Sequence, residues 1–318
     1  MDQKHFIIEK GRLKEIPNHK ELGSRGSRGW ENWYDFYVSD REELAVVLES
    51  LDPHPIIMDL AVHPENAPNV VYYGQDLLME IPVVSNSATL EIGYFTLIWR
   101  EGSLITIHAF PLFEDLITTL KRTDTNHMED TINILYLILD RILDQQLKLE
   151  ITHRDQMIIK AHHLAEGTED VSAKDLAQLR ITMDRIVTLA ESYMFCTEGM
   201  NTTDLPGLRK SERKAYIRDL VATAEIAHRA ATRMESRVNS IYAQFQMIRS
   251  EDSEKRLRFL TILSAVNIPL VLITGIYGMN MAWLPAADRE NGFYIVLGIM
   301  ALVLVIELWI FKAKGWFD

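Results

Sequence analysis

The chain has 318 residues, of which 47% are apolar, and it carries 33 Lys and Arg against 45 Asp and Glu. That length and composition exclude wholesale disorder and allow one large or two smaller domains. The first 252 residues hold 27 basic and 40 acidic groups, a balance that disfavours a nucleic-acid partner and raises the local cation concentration, although ordinary solubility accounts for it equally.

The single cysteine, Cys196, excludes an intrachain disulfide, and no His or second Cys stands at ligand spacing from it. Met1 to His5 begins no apolar stretch of signal-peptide length, so membrane insertion is expected to be encoded elsewhere.

Within the first 125 residues, Trp33 to Val38, Asn69 to Tyr73, Leu77 to Val84, Leu90 to Trp99 and Leu104 to His108 are short apolar or alternating runs bounded by Gly, Pro, Asn and Ser. Each reads as a strand. Ser39-Asp40-Arg41-Glu42 caps a helix over the following LAVVLESL, and Glu114 to Leu120 reads as another short helix. This part is a mixed sheet with helices, α+β or α/β. Gly23 to Gly29 has the glycines of a phosphate loop but lacks its Gly-Lys-Ser/Thr ending and a clear preceding strand, so it reads as an ordinary loop.

Asn126 to Leu164 is helical by its apolar spacing, from Ile132 and Leu135 to Ile142 and Leu143, and a second helix runs from Ser172 to Phe195. His153, His162 and His163 share the first of these, but His162 and His163 point in different directions and no fourth zinc ligand accompanies them. Asn201 to Gly207 is a turn. From Leu208 to Ile268 there are 61 residues without Gly or Pro, about 90 Å if one helix. Within it Ile217, Leu220, Ala224, Ala227, Ala231, Met234, Val238, Ile241, Phe245 and Ile248 keep a 3-4 spacing, the seam of helix-to-helix packing.

Leu257 to Tyr277 and Phe293 to Phe311 are each long and apolar enough to span a bilayer. Lys255, Arg256 and Arg258 precede the first span and Lys312 and Lys314 follow the second, whereas the connection holds only Arg289. That bias puts both ends in the cytoplasm and the loop outside. Pro269 and Gly275 allow the first span to bend or be approached closely. Glu307, about one turn from the cytoplasmic end of the second span, is expected to pair with Lys312 or Arg258.

The organisation expected is therefore a mixed α/β cytosolic domain over 1–125, a long-helix bundle over 126–256 and a membrane domain over 257–318, with spans at 257–277 and 293–311, an outer loop at 278–292 and a tail at 312–318. No nucleophile elbow, kinase set or paired catalytic acids appear, which argues against an enzyme. Tyr277-Gly278-Met279-Asn280 places backbone and amide dipoles at the outer end of a membrane helix, where several copies could surround an axis, although such a turn could equally end a helix.

The stretch from Leu260-Thr261 through Pro269-Leu270 to Thr274-Gly275-Ile276-Tyr277-Gly278-Met279-Asn280 closely resembles the CorA family of magnesium channels, two-transmembrane proteins with a Gly-Met-Asn triplet. Fainter likeness covers His54-Pro55 with Asp59, Leu139-Asp140-Arg141-Ile142 and Tyr216-Ile217-Arg218-Asp219.

The resemblance implies a funnel-shaped homopentamer in a bacterial-type inner membrane, a cytosolic α/β/α domain, and a pore made by the first span of each copy. It implies passive uptake of Mg²⁺, with Co²⁺ or Ni²⁺ as further ions, selected at a ring of Gly278, Met279 and Asn280 beside Tyr277. A neutral ring suits a strongly hydrated ion that must also leave. Glu254, Leu257, Leu260, Ile268 and Val271 match pore-facing positions, and Leu257, Leu260 and Ile268 are expected to form the gate. Asp219 fits one of the positions where, by the resemblance, regulatory Mg²⁺ bridges neighbouring subunits, and Asp59 lies beside the other, where one acid of an adjacent pair is kept.

Two departures are evident. Glu254 stands where the family usually has Asn, and the loop lacks the Met-Pro-Glu-Leu pattern, leaving Asp288 and Glu290 to attract ions. A zinc transporter of the same superfamily and a membrane-anchored coiled-coil sensor or scaffold without an ion path are the competing readings. None of the readings involves an organic cofactor or nucleic acid.

Overall fold

The structure, a computed structural model, describes residues 2–9, 12–16, 31–38, 41–86, 89–110, 117–118, 130–166, 172–279, 285 and 291–316. The chain divides into two compact units, Met1–Ile241 and Tyr242–Asp318. The glycine-rich loop at 23–29 and the capping pair Ser39-Asp40 lie outside the described residues.

The first unit is built on one seven-stranded sheet of β1 (Asp2–Glu9), β2 (Arg12–Glu15), β3 (Glu31–Tyr37), β4 (Asn69–Tyr73), β5 (Asp76–Asn86), β6 (Glu91–Arg100) and β7 (Ser103–His108), in the order β2-β1-β3-β7-β6-β5-β4. Only β3 and β7 run parallel. The last five strands coincide with the apolar runs of the sequence; the hairpin β1-β2 does not. Its strands bury only Phe6, Ile7, Ile8 and Leu13, so charge hides the alternation that a half-buried strand normally shows.

Successive side chains on a strand point to opposite faces, and both faces here are covered. On one face Tyr34, Phe36, Leu78, Ile98, Ile105 and Ile107 pack with Leu44 and Leu48 of α1 (Arg41–Glu49) and Ile57 and Ala61 of α2 (Pro55–Val62). α2 begins at Pro55, whose missing N–H costs nothing at a helix start, and His54 Nδ1 caps Ile56 N at 3.3 Å. On the opposite face lie α3 (Thr131–Glu166) and α4 (Ala173–Thr202). Trp99, almost wholly buried, donates its indole N–H to Thr131 Oγ1 at 3.2 Å there. Helices on both faces make the unit an α/β/α sandwich.

The parallel pair is also stitched by side chains. Trp33 Nε1 donates to Thr106 Oγ1 at 3.0 Å, and Thr106 in turn donates to the buried Asp35 Oδ1 at 2.6 Å. α4 starts beside Ser172, where the sequence placed a helix start, and Ser172 Oγ caps it by accepting from Asp175 N at 3.1 Å. After α4 a 3-10 turn, Pro206–Arg209, leads into α5 (Ser211–Tyr277). Gly207 is required in that turn, because a Cβ would lie 2.8 Å from the Trp99 ring. Buried Arg213 donates to Gly207 O, pairs with Asp130 and faces the Trp99 ring at 5.8 Å.

Nine of the ten seam residues of α5, Ile217 through Phe245, are buried, while Ile248 is 38% exposed. The seam thus ends one heptad position earlier than its spacing suggests.

Beside α4, Gln146 of α3 donates its amide to Glu150 Oε1 at 3.1 Å and to Ile186 O at 3.0 Å. Burial lifts the Glu150 carboxyl from 4.5 to about 7, against the lowering by Gln146 and Arg233. An acid whose folded pKa is raised keeps its proton longer when folded, so stability is highest below the unfolded pKa and falls as pH rises towards the folded one. Glu150→Gln is therefore expected to leave stability nearly unchanged at about pH 4.5 and to raise it by roughly 2 kcal/mol above about pH 7. Thermal unfolding of both proteins across this range checks it; parallel curves would contradict it.

In the second unit, the C-terminal part of α5 and α6 (Gly292–Ala313) are the two helices long and apolar enough to cross a membrane. Their half-buried residues include two stripes, Ile262, Val266, Pro269, Ile273 and Tyr277 on α5 and Val296, Met300, Val303, Glu307 and Phe311 on α6. A 3-4 spacing on each is that of helices packed lengthwise.

Candidate functional site

The C-terminal end of α5 is closed by its own backbone. Gly278 N donates to Thr274 O at 2.8 Å and Met279 N to Ile276 O at 3.2 Å. A Cβ on Gly278 would stand 3.2 Å from Thr274 O, so a larger residue would crowd the last turn. Tyr277 Oη donates to Pro285 O at 2.9 Å, a hydrogen bond that holds Pro285 at the helix end. That tether was not foreseen, since nothing in the spacing of Tyr277 and Pro285 announces it. Met279 is 55% exposed. Asn280, Asp288 and Glu290 lie outside the described residues.

Along the first span the half-buried stripe decides which face remains open. At 100° per residue, Leu257, Ser264, Ile268, Val271 and Gly275 lie within about 40° of the direction opposite Val266, with Glu254 and Leu260 about 60° to either side. Leu257, Leu260, Ile268 and Val271 are 55–66% exposed. Four large apolar side chains on one uncovered helix face need lipid or other protein around them. A shallow groove of about 590 Å³ follows this face, lined by Leu263, Ser264, Asn267, Ile268, Val271 and Leu272.

Asn267 is a groove residue that the sequence reading missed. Its Nδ2 donates to Leu263 O at 2.8 Å, leaving the amide oxygen as an acceptor in a mostly apolar span. The signal was available: Ser264 and Asn267 are polar and follow the Leu257-Leu260 pair at helical spacing. Thr274 is less informative, because its hydroxyl is used on Leu270 O at 3.0 Å.

At the other end of the span Glu254 is exposed and shares a separate groove with Leu257, Arg258, Thr261, Lys314, Gly315 and Trp316. Glu307 departs from expectation. Its Oε2 is buried without a hydrogen-bond partner, rather than reaching Lys312 or Arg258, because its position falls on the half-buried stripe of α6.

The two acids matched to regulatory positions are far apart in kind. Asp59 is exposed on α2, on one face of the sheet. Asp219 of α5 accepts from Tyr136 Oη of α3 at 2.7 Å, and α3 covers the opposite face. One chain therefore does not bring them together. The Asp219 hydrogen bond and then burial raise the Tyr136 phenol above its ordinary value, and burial followed by the charges of Asp144 and Asp219 raises Asp140. Among the described residues no group of three or more His, Cys, Asp or Glu is placed to hold a metal. His162 and His163 meet edge to face at 6.5 Å, and His153 bonds Gln156 at 3.2 Å.

A family model described as CorA-like Mg²⁺ transporter protein matches residues 31–313. The cobalt/magnesium transport protein CorA of Methanocaldococcus jannaschii is 24% identical over 311 residues, covering 89% of this chain and 90% of the relative. The complete structure of the CorA magnesium transporter from the same organism superposes with a TM-score of 0.79 at 18% identity, over 99% of each chain. The ZntB cytoplasmic domain from Vibrio parahaemolyticus superposes with a TM-score of 0.62 at 10% identity, over 78% of this chain and 98% of that one.

Proposed function

The chain belongs to the CorA-like Mg²⁺ transporter family, and from that premise we propose that it conducts divalent cations passively across the membrane, Mg²⁺ first and Co²⁺ or Ni²⁺ as alternatives. The observation that carries the reading is the uncovered face of the first span, with Leu257, Leu260, Ile268 and Val271 exposed below an outer end closed at Gly278. Five copies turning that face to a common axis would enclose an apolar path of the kind that excludes ions when dry.

At the outer mouth the ring of Gly278, Met279 and Asn280 offers neutral oxygens and amides. Such groups hold a hydrated ion through its waters and let it go again, which suits Mg²⁺ because it sheds water reluctantly. Asp288 and Glu290 of the loop supply the attraction that steers cations inward. The Lys and Arg at the inner ends of both spans favour termini in the cytoplasm of a cell with a bacterial-type inner membrane. The exposure of Asp59, on the sheet face opposite Asp219, favours a regulatory Mg²⁺ held between neighbouring copies rather than within one.

A second reading is supported by the ZntB neighbour: Zn²⁺ as the transported ion. Flux into proteoliposomes separates the two. Mg²⁺ entry that is inhibited by Co²⁺ or Ni²⁺ and insensitive to a proton gradient is expected; proton-dependent Zn²⁺ entry without Mg²⁺ entry would overturn the magnesium reading, and no flux of any divalent ion would overturn both.

A further inference from the structure

The chain beyond the second span is built rather than trailing. Trp316 N donates to Phe311 O at 3.1 Å and Gly315 N to Lys312 O at 3.1 Å, with Gly315 at φ +66°. These two reversed bonds and a left-handed glycine are the Schellman arrangement, in which the residue after the glycine packs back on the last turn. The Trp316 and Phe311 rings do so at 5.4 Å between centroids.

The turn forms one wall of the groove of about 580 Å³ whose other wall is Glu254, Leu257, Arg258 and Thr261 of α5. Arg258 and Lys314 both line it, and among the described residues neither makes an ion pair. Arg258 stands four residues after Glu254, a spacing that permits pairing, yet the two are not joined. The groove also lies at the level where the apolar spans give way to Lys255, Arg256 and Lys312, the edge of the bilayer.

We propose that this groove binds the phosphodiester headgroup of an anionic phospholipid, with Arg258 and Lys314 on the phosphate and Trp316 along the glycerol and first acyl carbons. A guanidinium presents a fork of N–H donors that matches phosphate oxygens, and Lys adds a point charge. An indole is favoured where one side is apolar and the other wet. The lipid is preferred over free phosphate as occupant because the Trp316 indole gives the groove an apolar edge beside its two cations. The site rests on the membrane placement of the two spans and is independent of which ion passes.

The test uses the full chain purified in detergent and incubated with phosphatidylglycerol or phosphatidylcholine, bound lipid being counted by native mass spectrometry. Wild-type protein is expected to retain phosphatidylglycerol about tenfold over phosphatidylcholine, as two cations near a headgroup imply. Arg258→Gln with Lys314→Gln brings that preference close to parity, whereas Lys255→Gln, outside the groove, leaves it. Gly315→Val weakens it with every charge retained, because a β-branched residue resists φ +66° and the turn opens. Equal retention of the two lipids by wild type, an unchanged preference in the double variant, or displacement of the lipid by millimolar inorganic phosphate would each overturn the proposal. Since the count requires no transport, failure of ion flux leaves it standing, and the reverse holds as well.

Discussion

Leu257→Ala combined with Ile268→Ala is expected to raise Mg²⁺ flux through the reconstituted protein about tenfold, the equivalent of ~1.4 kcal/mol off the barrier to permeation. The two side chains occupy the face of the first span that the second span leaves open, at 62% and 66% exposure, so their truncation removes little that holds the single chain together. What it does remove is apolar surface from the proposed path. A narrow apolar constriction stops ions because it sheds water, and trimming branched side chains to methyl groups widens and wets it. Flux is read with a Mg²⁺-sensitive dye trapped in proteoliposomes at matched protein content. The same variant should remain as heat-stable as wild type; unchanged flux in a folded variant would remove these residues from the gate.

The sequence made the membrane helices legible because a bilayer imposes a length and a composition that few other contexts do. The five central and distal strands were equally plain, since Leu77 to Val84 and Leu104 to His108 are short, mostly apolar runs. What escaped has physical reasons. β2 offers one buried residue, Leu13, among charges, as an edge strand should, and so lacks a pattern. The buried acids Glu80 and Glu150 look like surface residues in sequence; only packing reveals that burial raises both.

The site divides in the same way. Gly278 was announced by the motif, but neither its backbone bonds nor the Tyr277 to Pro285 hydrogen bond has a signal in the spacing. Glu307 looked like a residue near enough to the membrane rim to snorkel, whereas one turn of helix phase puts it on the sheltered stripe. The turn at Gly315 could have been read beforehand, because an apolar residue following a glycine and another at the last helical turn are its signature.

Asn280→Ala tests the proposed selectivity ring most directly. The carboxamide is the one polar side chain of the triplet, and it offers both an acceptor oxygen and N–H donors to the water shell of an approaching ion. Removing it from every copy at once strips a whole ring of such groups from the mouth. Alanine at this position should therefore lower Mg²⁺ entry by about a hundredfold, roughly 2.7 kcal/mol, while leaving expression and thermal stability at wild-type levels. The measurement is initial Mg²⁺ flux into proteoliposomes under an inward gradient, wild type beside Asn280→Ala. Flux in the wild type that collapses in the variant is the result predicted; equal flux in the two, with both proteins folded and inserted, would contradict selection at the Gly278-Met279-Asn280 ring.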